Sequence, residues 1–314
     1  MRLTDEIQNE VNRVILGKED VVRKILMAIL AGGHILLDDV PGVGKTTMAM
    51  AFAKTLGLET KRVQFTSDTL PSDIIGFSVF NKQTESLKYQ PGAVMTNLLL
   101  ADEINRTSSK TQSALLEAME ERRVTVDGET HMLPDPFVVL ATQNPVGSAG
   151  TQHLPESQLD RFLVKLSVGY PDAVSQMLLM KARHSEDPLD KCRAVTDKEK
   201  LCALCNEAMA AFVNDSVYEY IANIVTETRY NSEILLGVSP RGALAICRAA
   251  KANAFLAGRD YTTPDDVCAV LKPTCSHRIV LNSKAKLHER TPEQILDDIT
   301  EKVKKPDIRE FKTK

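Results

Sequence analysis

The residues best suited to chemistry form a glycine-rich loop, residues 39–46, that ends in Gly44, Lys45 and Thr46. An apolar run precedes this loop and a helix-forming run follows it, which is the order in which backbone amides and a helix N-terminus hold phosphate groups. Lys45 would reach the β- and γ-phosphates of a nucleoside triphosphate, and the Thr46 hydroxyl would be a ligand of Mg²⁺. The residues predicted to bind the nucleotide phosphates are Pro41, Gly42, Val43, Gly44, Lys45, Thr46 and Thr47.

A second segment supplies the acidic groups that such chemistry requires. The apolar residues 98–101 predict a buried strand of a parallel sheet, and Asp102 and Glu103 follow where it ends. We predict that Asp102 supports Mg²⁺ and that Glu103 polarises the attacking water, as acidic residues do in phosphoryl transfer. The two segments together therefore predict hydrolysis of the nucleotide and not only its binding.

The rest of the sequence predicts an α/β domain that would bring these groups together. Apolar runs alternate with helical segments, and the runs cover residues 34–37, 62–65, 98–101, 137–141 and 162–166. This alternation is typical of a parallel sheet, whose ligands bind beyond the carboxyl ends of the strands. Asn144 follows one of these runs, so we predict that it orients the attacking water or contacts the γ-phosphate. Alternatively, Asn144 is a turn residue before Pro145.

Two features leave other functions open. Asp39 occupies the position of the usual first glycine of the loop pattern, where it could slow or distort phosphate binding. A nucleotide-controlled protein-binding scaffold with little turnover is therefore an alternative to a motor. Alternating β-forming residues also predict hairpins at residues 77–89 and 124–130, which would either touch a partner or only connect elements at the surface.

Composition and charge narrow the class of protein. The chain has 314 residues, of which 43% are hydrophobic and 26% are charged, so it is long enough for two domains. Its formal net charge of −3 gives no reason to expect nucleic acid as a partner. A nucleic acid motor would need basic hairpins, but the turn at residues 127–129 is acidic. We expect a cytoplasmic protein without a membrane span, because the apolar stretches are short and the first residues lack a signal-peptide pattern.

Residues 239–246 predict a helix whose first turn contains a cation. Ser239 would be the N-cap and Pro240 the first helical residue, so Arg241 would face the positive end of the helix dipole. A cation is unfavourable there, and we therefore expect an anionic group near Arg241. A solvated arginine is the alternative.

The sequence resembles the MoxR family of AAA+ ATPases over nearly the whole chain, to about residue 280. The sequence segment most specific to that family is residues 102–119. Further matching motifs lie at residues 16–19, 40–46, 64–66, 70–74, 141–145, 154–162 and 239–241. The resemblance implies a P-loop AAA+ fold, in which a parallel five-stranded sheet is sandwiched by helices and followed by a small all-α lid domain. It also implies a homo-oligomer, a hexameric ring, with ATP bound between subunits.

The same resemblance gives roles to further residues. Gly17, with the apolar residues before it, would pack against the adenine of ATP. Arg241 would meet the ATP phosphates as a sensor, and Arg161 would be the arginine finger that reaches a neighbour's γ-phosphate. The rivals for contacts across the subunit boundary are Arg106, Arg122 and Arg123.

We therefore expect three regions. These are an AAA+ ATPase core at residues 1–170, a helical lid at residues 171–280, and a C-terminal helix with a mobile tail at residues 281–314. The expected function is Mg²⁺-dependent ATP hydrolysis that remodels, activates or metallates a client protein, in the manner of a chaperone. By resemblance, that client would contain a von Willebrand factor A domain.

Overall fold

The computed structural model describes residues 2–40, 42–83, 85–144, 152, 154–182 and 187–307. The helices are α1 (Leu3–Val14), α2 (Glu19–Leu30), α3 (Lys45–Leu56), α4 (Pro71–Ile75), α5 (Ser109–Glu121), α6 (Glu156–Leu159), α7 (Ala173–Ala182), α8 (Lys198–Met209), α9 (Asp215–Tyr230), α10 (Pro240–Leu256), α11 (Pro264–Cys275), α12 (Ser283–Leu287) and α13 (Pro292–Lys302). The strands are β1 (Ile35–Asp38), β2 (Thr60–Gln64), β3 (Gly76–Asn81), β4 (Ser86–Pro91), β5 (Leu98–Asp102), β6 (Arg123–Val126), β7 (Glu129–Met132), β8 (Val138–Gln143), β9 (Val164–Leu166), β10 (Ile234–Leu236) and β11 (Val280–Leu281).

Five strands form the predicted sheet, in the order β2-β5-β8-β1-β9. The ladders that join β2 to β5, β5 to β8 and β8 to β1 are all parallel. Every residue of β5 is buried, and only the last residue of β8 is partly exposed. A parallel sheet covered by helices on both faces requires such burial, which explains why these strands are continuous apolar runs. The predicted α/β fold with a five-stranded parallel sheet is confirmed.

The strand order brings the carboxyl ends of three strands together. β8 lies between β5 and β1, and its register pairs Ala141 with Ala101 of β5 and Thr142 with Leu37 of β1. The residues that follow these strands therefore meet at one edge of the sheet. That edge is where open α/β sheets bind their ligands.

Both predicted hairpins are confirmed, since β3 pairs with β4 and β6 pairs with β7 in antiparallel ladders. Asp127 and Gly128 both have positive φ, as a tight two-residue turn needs. The hairpins contact each other where the Tyr89 ring stacks on His131, with 3.8 Å between ring centroids. The apolar side chains of these hairpins that are more than half exposed are Phe77, Phe80, Leu87 and Met132.

Contacts divide the chain into two compact units. The first unit comprises Met1–Leu26, His34–Leu154 and Leu166–Cys202. The second unit comprises Met27–Gly33, Pro155–Lys165 and Ala203–Lys314.

This grouping differs from the predicted domain limits in four places: residues 27–33 and 155–165 group with the second unit, residues 171–202 group with the first, and residues 281–314 are not separate from the second. Residues 187–196 belong with the first unit, because Lys54 donates to the Leu189 carbonyl and the Val195 amide donates to the Thr55 carbonyl, each at 2.8 Å. Residues 155–165 belong with the second unit, because Asp160 pairs with Arg278 at 2.7 Å. These partners are more than 100 residues apart, so local sequence patterns carry no sign of them.

The second unit is mainly helical, as predicted for the lid. Helix α10 begins at Pro240, and the Ser239 side chain caps it by accepting from the Gly242 amide at 3.1 Å. Helix α13 lies within residues 281–314, where a C-terminal helix was predicted. The unit also contains a short antiparallel ribbon in which Ile234 of β10 pairs with Leu281 of β11. The prediction of an all-α lid did not include this ribbon, because two short apolar segments far apart in sequence leave no local pattern.

Helix α13 is followed by non-helical residues up to Asp307. The predicted mobile tail falls largely on residues 308–314, which lie outside the described ranges. Among the helices described, none is long and apolar enough to cross a membrane.

Asp266 is a buried carboxylate that stabilises the second unit through an ion pair with the partly exposed Arg259. Its carboxylate accepts from both terminal nitrogens of Arg259, at 2.7 and 2.6 Å, and from the backbone amide of Thr263 at 2.8 Å. Burial alone would raise the pKa of Asp266, but the hydrogen bonds from Arg259 and Thr263 outweigh it and hold the pKa below 3.8. Because the folded-state pKa of Asp266 lies below the ordinary value, its ionised carboxylate contributes fully to the free energy of unfolding at neutral pH. That contribution is lost as the pH falls through the folded-state pKa.

We predict that Asp266→Asn destabilises the protein by about 3 kcal/mol at neutral pH, because it leaves Arg259 without its charge partner. The matched control is Asp297→Asn, whose ion pair with Lys272 is about half exposed on both sides and is expected to contribute less than about 1 kcal/mol. Urea denaturation followed by circular dichroism measures both. Equal losses would contradict the prediction.

Candidate nucleotide site

The glycine loop between β1 and α3 forms an open cradle. Gly42 and Gly44 have φ of 87° and 91°, a conformation that favours glycine, and Gly44 caps α3. A Cβ atom added at either glycine would have no neighbour within 4 Å, so the space beside the loop is free. Free space beside backbone amides at a helix N-terminus is suited to a phosphate group. Val43, Thr46 and Thr47 lie in the same turn, and Pro41 lies outside the described residues.

Lys45, the first residue of α3, connects the loop to the end of β8. Its ammonium group donates to the carbonyl oxygens of Asp39 at 2.6 Å and Gln143 at 3.2 Å, and to Asn144 Oδ1 at 3.3 Å. Burial lowers the pKa of Lys45 below its ordinary value, although nearby carboxylates oppose the shift. The Lys45 ammonium group, which is predicted to bind phosphate, is therefore held at the edge of the sheet formed by the carboxyl ends of the strands.

Asn144 joins this lysine to the acidic pair. Its Oδ1 accepts from Lys45, and its Nδ2 donates to Glu103 Oε1 at 2.9 Å. The Asn105 side chain fixes the Asn144 backbone, because Asn105 Nδ2 donates to the Asn144 carbonyl at 3.0 Å. Asn144 is thus a bridge between two functional side chains as well as the residue that follows β8.

Glu103 has a strained backbone and two side-chain partners. Its φ of 58° is unusual for a residue with a side chain, and such strain collects at functional sites. One carboxylate oxygen accepts from Asn144 and the other from Arg106 Nη1 at 2.8 Å. The hydrogen bond from Arg106 lowers the pKa of Glu103 below its ordinary value, with burial opposing the shift and Asn144 supporting it. While Glu103 is paired with Arg106, its carboxylate is therefore a weak base.

Asp102 is fixed by two donors at the end of β5. Thr142 Oγ1 donates to Asp102 Oδ1 at 2.6 Å, and Arg62 Nη2 donates to Asp102 Oδ2 at 2.8 Å. The same Thr142 oxygen accepts from the Glu103 amide at 2.9 Å. Sequence reasoning missed Thr142 and Arg62. For Thr142 a signal existed, because it is a buried polar residue that follows four apolar residues in the same strand.

The side chain of Asp39 is used away from the phosphate loop. Its Oδ2 accepts from the Gly169 amide at 2.6 Å and from Ser167 Oγ at 2.9 Å, and its Oδ1 accepts from the Val40 amide at 2.9 Å. Burial alone would raise the pKa of Asp39, but the hydrogen bonds from Gly169 and Ser167 outweigh it and lower the pKa. Asp39 therefore anchors the start of the loop to the segment that follows β9.

A cavity of about 500 Å³ extends from the loop. It is lined by Gly42–Gly44 of the loop, by the apolar residues Val14–Leu16 at the end of α1, and by residues of the segments 168–180 and 187–188. Gly17 itself is not among the lining residues. It has φ of 70°, and an added Cβ there would come within 2.1 Å of Ser175 Oγ. An apolar cavity next to a phosphate cradle has room for a nucleoside.

The residues fit Mg²⁺ bound together with nucleotide phosphates. Mg²⁺ is usually held by one or two protein oxygens, water and phosphate, and here Thr46 and Asp102 are the predicted oxygen donors. The structure offers no cluster of three or more His, Cys, Asp or Glu ligands within the residues it describes, so a metal held by protein alone has no support there.

The two arginines predicted to act on phosphate, Arg161 and Arg241, both lie in the second unit. Arg241 is in the first turn of α10, and the cap of that helix, Ser239, donates its hydroxyl to Asp160 Oδ2 at 3.1 Å. Asp160 therefore lies at the cap of α10, and Arg161 is the residue after it.

The rival arginines have other partners. Arg106 pairs with Glu103, Arg123 pairs with Glu121 at 3.1 Å, and Arg122 donates to the Phe137 carbonyl.

Known proteins resemble this chain over most of its length. A model of the ATPase family associated with various cellular activities (AAA) matches residues 34–164, and an AAA lid domain model matches residues 226–299. The protein YeaC of Bacillus subtilis is 49% identical over 94% of this chain and 92% of its own length. The chaperone MoxR1 of Mycobacterium tuberculosis is 38% identical over 95% of this chain and 81% of its own. A crystal structure of a candidate ATPase from Cytophaga hutchinsonii superposes with a TM-score of 0.90 at 38% identity, covering 97% of this chain and 95% of that one.

The sheet order, the glycine loop and the acidic pair define an ATPase of the AAA+ class with a lid domain. Within that class, the chain belongs to the MoxR family.

We predict that Asp39→Gly, which restores the usual loop glycine, lowers stability by about 2 kcal/mol and does not speed ATP hydrolysis. The variant loses charge-assisted hydrogen bonds to Gly169 and Ser167, each of which contributes about 1.5–3 kcal/mol when buried and less where water competes. Thermal unfolding and steady-state ATPase assays measure the two effects. A tenfold faster hydrolysis by the glycine variant would show instead that Asp39 hinders phosphate binding.

Proposed function

We propose that this chain is a Mg²⁺-dependent ATP-hydrolysing motor that remodels or activates a client protein, including by assisting insertion of a metal. The observation that carries the proposal is the hydrogen-bonded chain from Lys45 through Asn144 to Glu103, beside an open glycine cradle. Nucleotide binding alone needs only the glycine cradle and Lys45. Here Asn144, which contacts Lys45, also holds the Glu103 carboxylate at the same edge of the sheet. Such a carboxylate is expected in a site that activates a water for hydrolysis.

The proposed roles follow from the chemistry of each side chain. Lys45 and the loop amides bind the β- and γ-phosphates, and Glu103 accepts a proton from the attacking water. Asn144 orients that water or contacts the γ-phosphate. Mg²⁺, held through Thr46 and Asp102, would neutralise charge that develops on the phosphate oxygens.

Two arginines complete the proposed site. Arg241 contacts the nucleotide of its own subunit, and Arg161 acts on the γ-phosphate of a neighbouring subunit in a ring, which we propose to be hexameric. A cation delivered across a subunit boundary stabilises charge in the transition state and can accelerate hydrolysis by about 10³- to 10⁵-fold. The family relationship supports this arrangement.

The proposed partner is a protein. A relative over most of the chain is named a chaperone, and exposed apolar side chains on the paired hairpins, such as Phe77 and Phe80, offer a surface for an unfolded or remodelled segment. A client with a von Willebrand factor A domain is the specific candidate, on the strength of the family resemblance.

One observation favours a second candidate function, a nucleotide-controlled scaffold with little turnover. Glu103 is paired with Arg106, which lowers its basicity. If that ion pair persisted with nucleotide bound, hydrolysis would be slow and the bound nucleotide would act as a switch.

We predict that Glu103→Gln keeps ATP binding but slows hydrolysis by about 10²- to 10⁴-fold, because it removes the general base. Arg161→Ala is expected to slow hydrolysis at all protein concentrations. The specific activity of the wild type is expected to rise with protein concentration, because shared sites assemble.

Steady-state ATPase assays over a concentration series, together with equilibrium nucleotide binding, measure these effects. Wild-type activity no higher than that of Glu103→Gln at any concentration would favour the scaffold.

We also predict that Arg106→Gln moves the acidic limb of the pH–rate profile to higher pH. Removal of the guanidinium raises the pKa of Glu103, so the carboxylate is protonated, and lost as a base, at a higher pH than in the wild type. The profile of turnover against pH measures the shift. Arg123→Gln, which breaks an exposed ion pair with Glu121, is the control and should leave the limb in place.

A further inference from the structure

Arg278 is a buried cation that donates hydrogen bonds to the residues around Arg161. Its side chain is 3% exposed, and its Nε donates to Asp160 Oδ1 at 2.7 Å. Its Nη2 donates to the carbonyl oxygens of Asp160 at 3.0 Å and Phe162 at 2.7 Å, and its Nη1 donates to the Leu163 carbonyl at 3.2 Å. Arg161 therefore lies between two residues whose backbone oxygens are held by one guanidinium.

The same arginine also contacts the start of the helix that carries Arg241. Gly242 has no room for a side chain, because an added Cβ would lie 3.0 Å from Arg278 Cδ and 2.5 Å from Val238 Cγ1. The aliphatic part of Arg278 thus packs directly on the first turn of α10, next to Arg241.

Asp160 joins these two contacts through its second oxygen. Asp160 Oδ1 accepts from Arg278, whereas Oδ2 accepts from the hydroxyl of Ser239 at 3.1 Å. That hydroxyl also accepts from the Gly242 amide and so caps α10. One carboxylate therefore connects the backbone before Arg161 with the cap before Arg241.

We propose that Arg278 is a positioning residue that, through Asp160, fixes Arg161 and Arg241 relative to each other as one rigid element. This inference rests on the proposed function, in which Arg241 contacts the subunit's own nucleotide and Arg161 contacts the neighbour's. A rigid connection between them means that a shift of Arg241 on nucleotide binding or release also displaces Arg161. Arg278 thereby transmits the nucleotide state of one site to catalysis at the next.

Arg278→Lys tests the proposal. Lysine retains the charge opposite Asp160 but cannot hold the oxygens of Asp160, Phe162 and Leu163 at once. Misplacement of a catalytic group by about 1 Å can reduce the rate by about 100-fold, so we expect kcat at saturating ATP to fall by about 10- to 100-fold. The control is Arg259→Lys, which disturbs the ion pair with Asp266 in the same unit and is expected to change kcat less than about twofold.

A binding cycle separates positioning from general destabilisation. The affinity for a fluorescent N-methylanthraniloyl derivative of ATP is measured for Arg278→Lys, Arg241→Ala and the double variant. If Arg278 acts through Arg241, its substitution weakens binding in the wild type and has little further effect once Arg241 is absent. Additive effects on binding, together with a kcat similar to that of Arg259→Lys, would overturn the proposal.

A second pair of variants covers the case in which Arg278→Lys does not fold. Ser239→Ala removes the hydroxyl that donates a hydrogen bond to Asp160, and Ser239→Thr restores a hydroxyl. Thr291→Ala, which removes the side-chain cap of α13, is the control. Loss of kcat with alanine, rescue by threonine and no loss in the control would support the proposal, whereas equal losses at both caps would overturn it. Equal rates for the wild type and Glu103→Gln in the same assay would overturn the proposed function and, with it, this inference.

Discussion

The interaction on which the site depends is the bridge that Asn144 makes between Lys45 and Glu103. Hydrogen bonds in a buried site are strong, but an unpaired polar group there is costly, so each member of such a network restricts the others. The bridge exists only because β8 lies between β5 and β1. A parallel sheet with any other neighbour for β8 would separate the phosphate loop from the acidic pair. The apolar runs that determine the sheet therefore also determine the geometry of the polar site.

Two less conspicuous residues maintain that geometry. Thr142 holds Asp102 through its side chain and the Glu103 backbone through the same oxygen, so it aligns both acids from a buried position. Asp39 positions the start of the glycine loop. Its carboxylate accepts hydrogen bonds from Ser167 and Gly169, and its backbone carbonyl accepts from Lys45. A flexible glycine at position 39 would supply the carbonyl but not the anchor.

The sequence predicted those parts whose causes are local. The buried strands are continuous apolar runs, the hairpin turn at Asp127 and Gly128 has the required residue types, and Ser239 with Pro240 marks a helix start. The supports of the site were not predictable in the same way. Ser167 and Gly169 are about 130 residues from Asp39, and Arg278 is 118 residues from Asp160, so only the tertiary fold brings these donors and acceptors together.

The ion pair between Asp160 and Arg278 differs in kind from the apolar contacts around it. The Arg278 side chain is 3% exposed and that of Asp160 is 23% exposed. Removing the guanidinium from water costs free energy that the attraction returns only when geometry is good and the remaining donors are satisfied, so such a pair is weak evidence for stability alone. Arg278 meets that condition by donating to the backbone carbonyls of Phe162 and Leu163 as well as to the carboxylate. An apolar side chain could fill the same space, but it could not fix the direction of the backbone on either side of Arg161. A guanidinium has rigid, divergent donors, and a loop that must present a cation in one orientation requires that property.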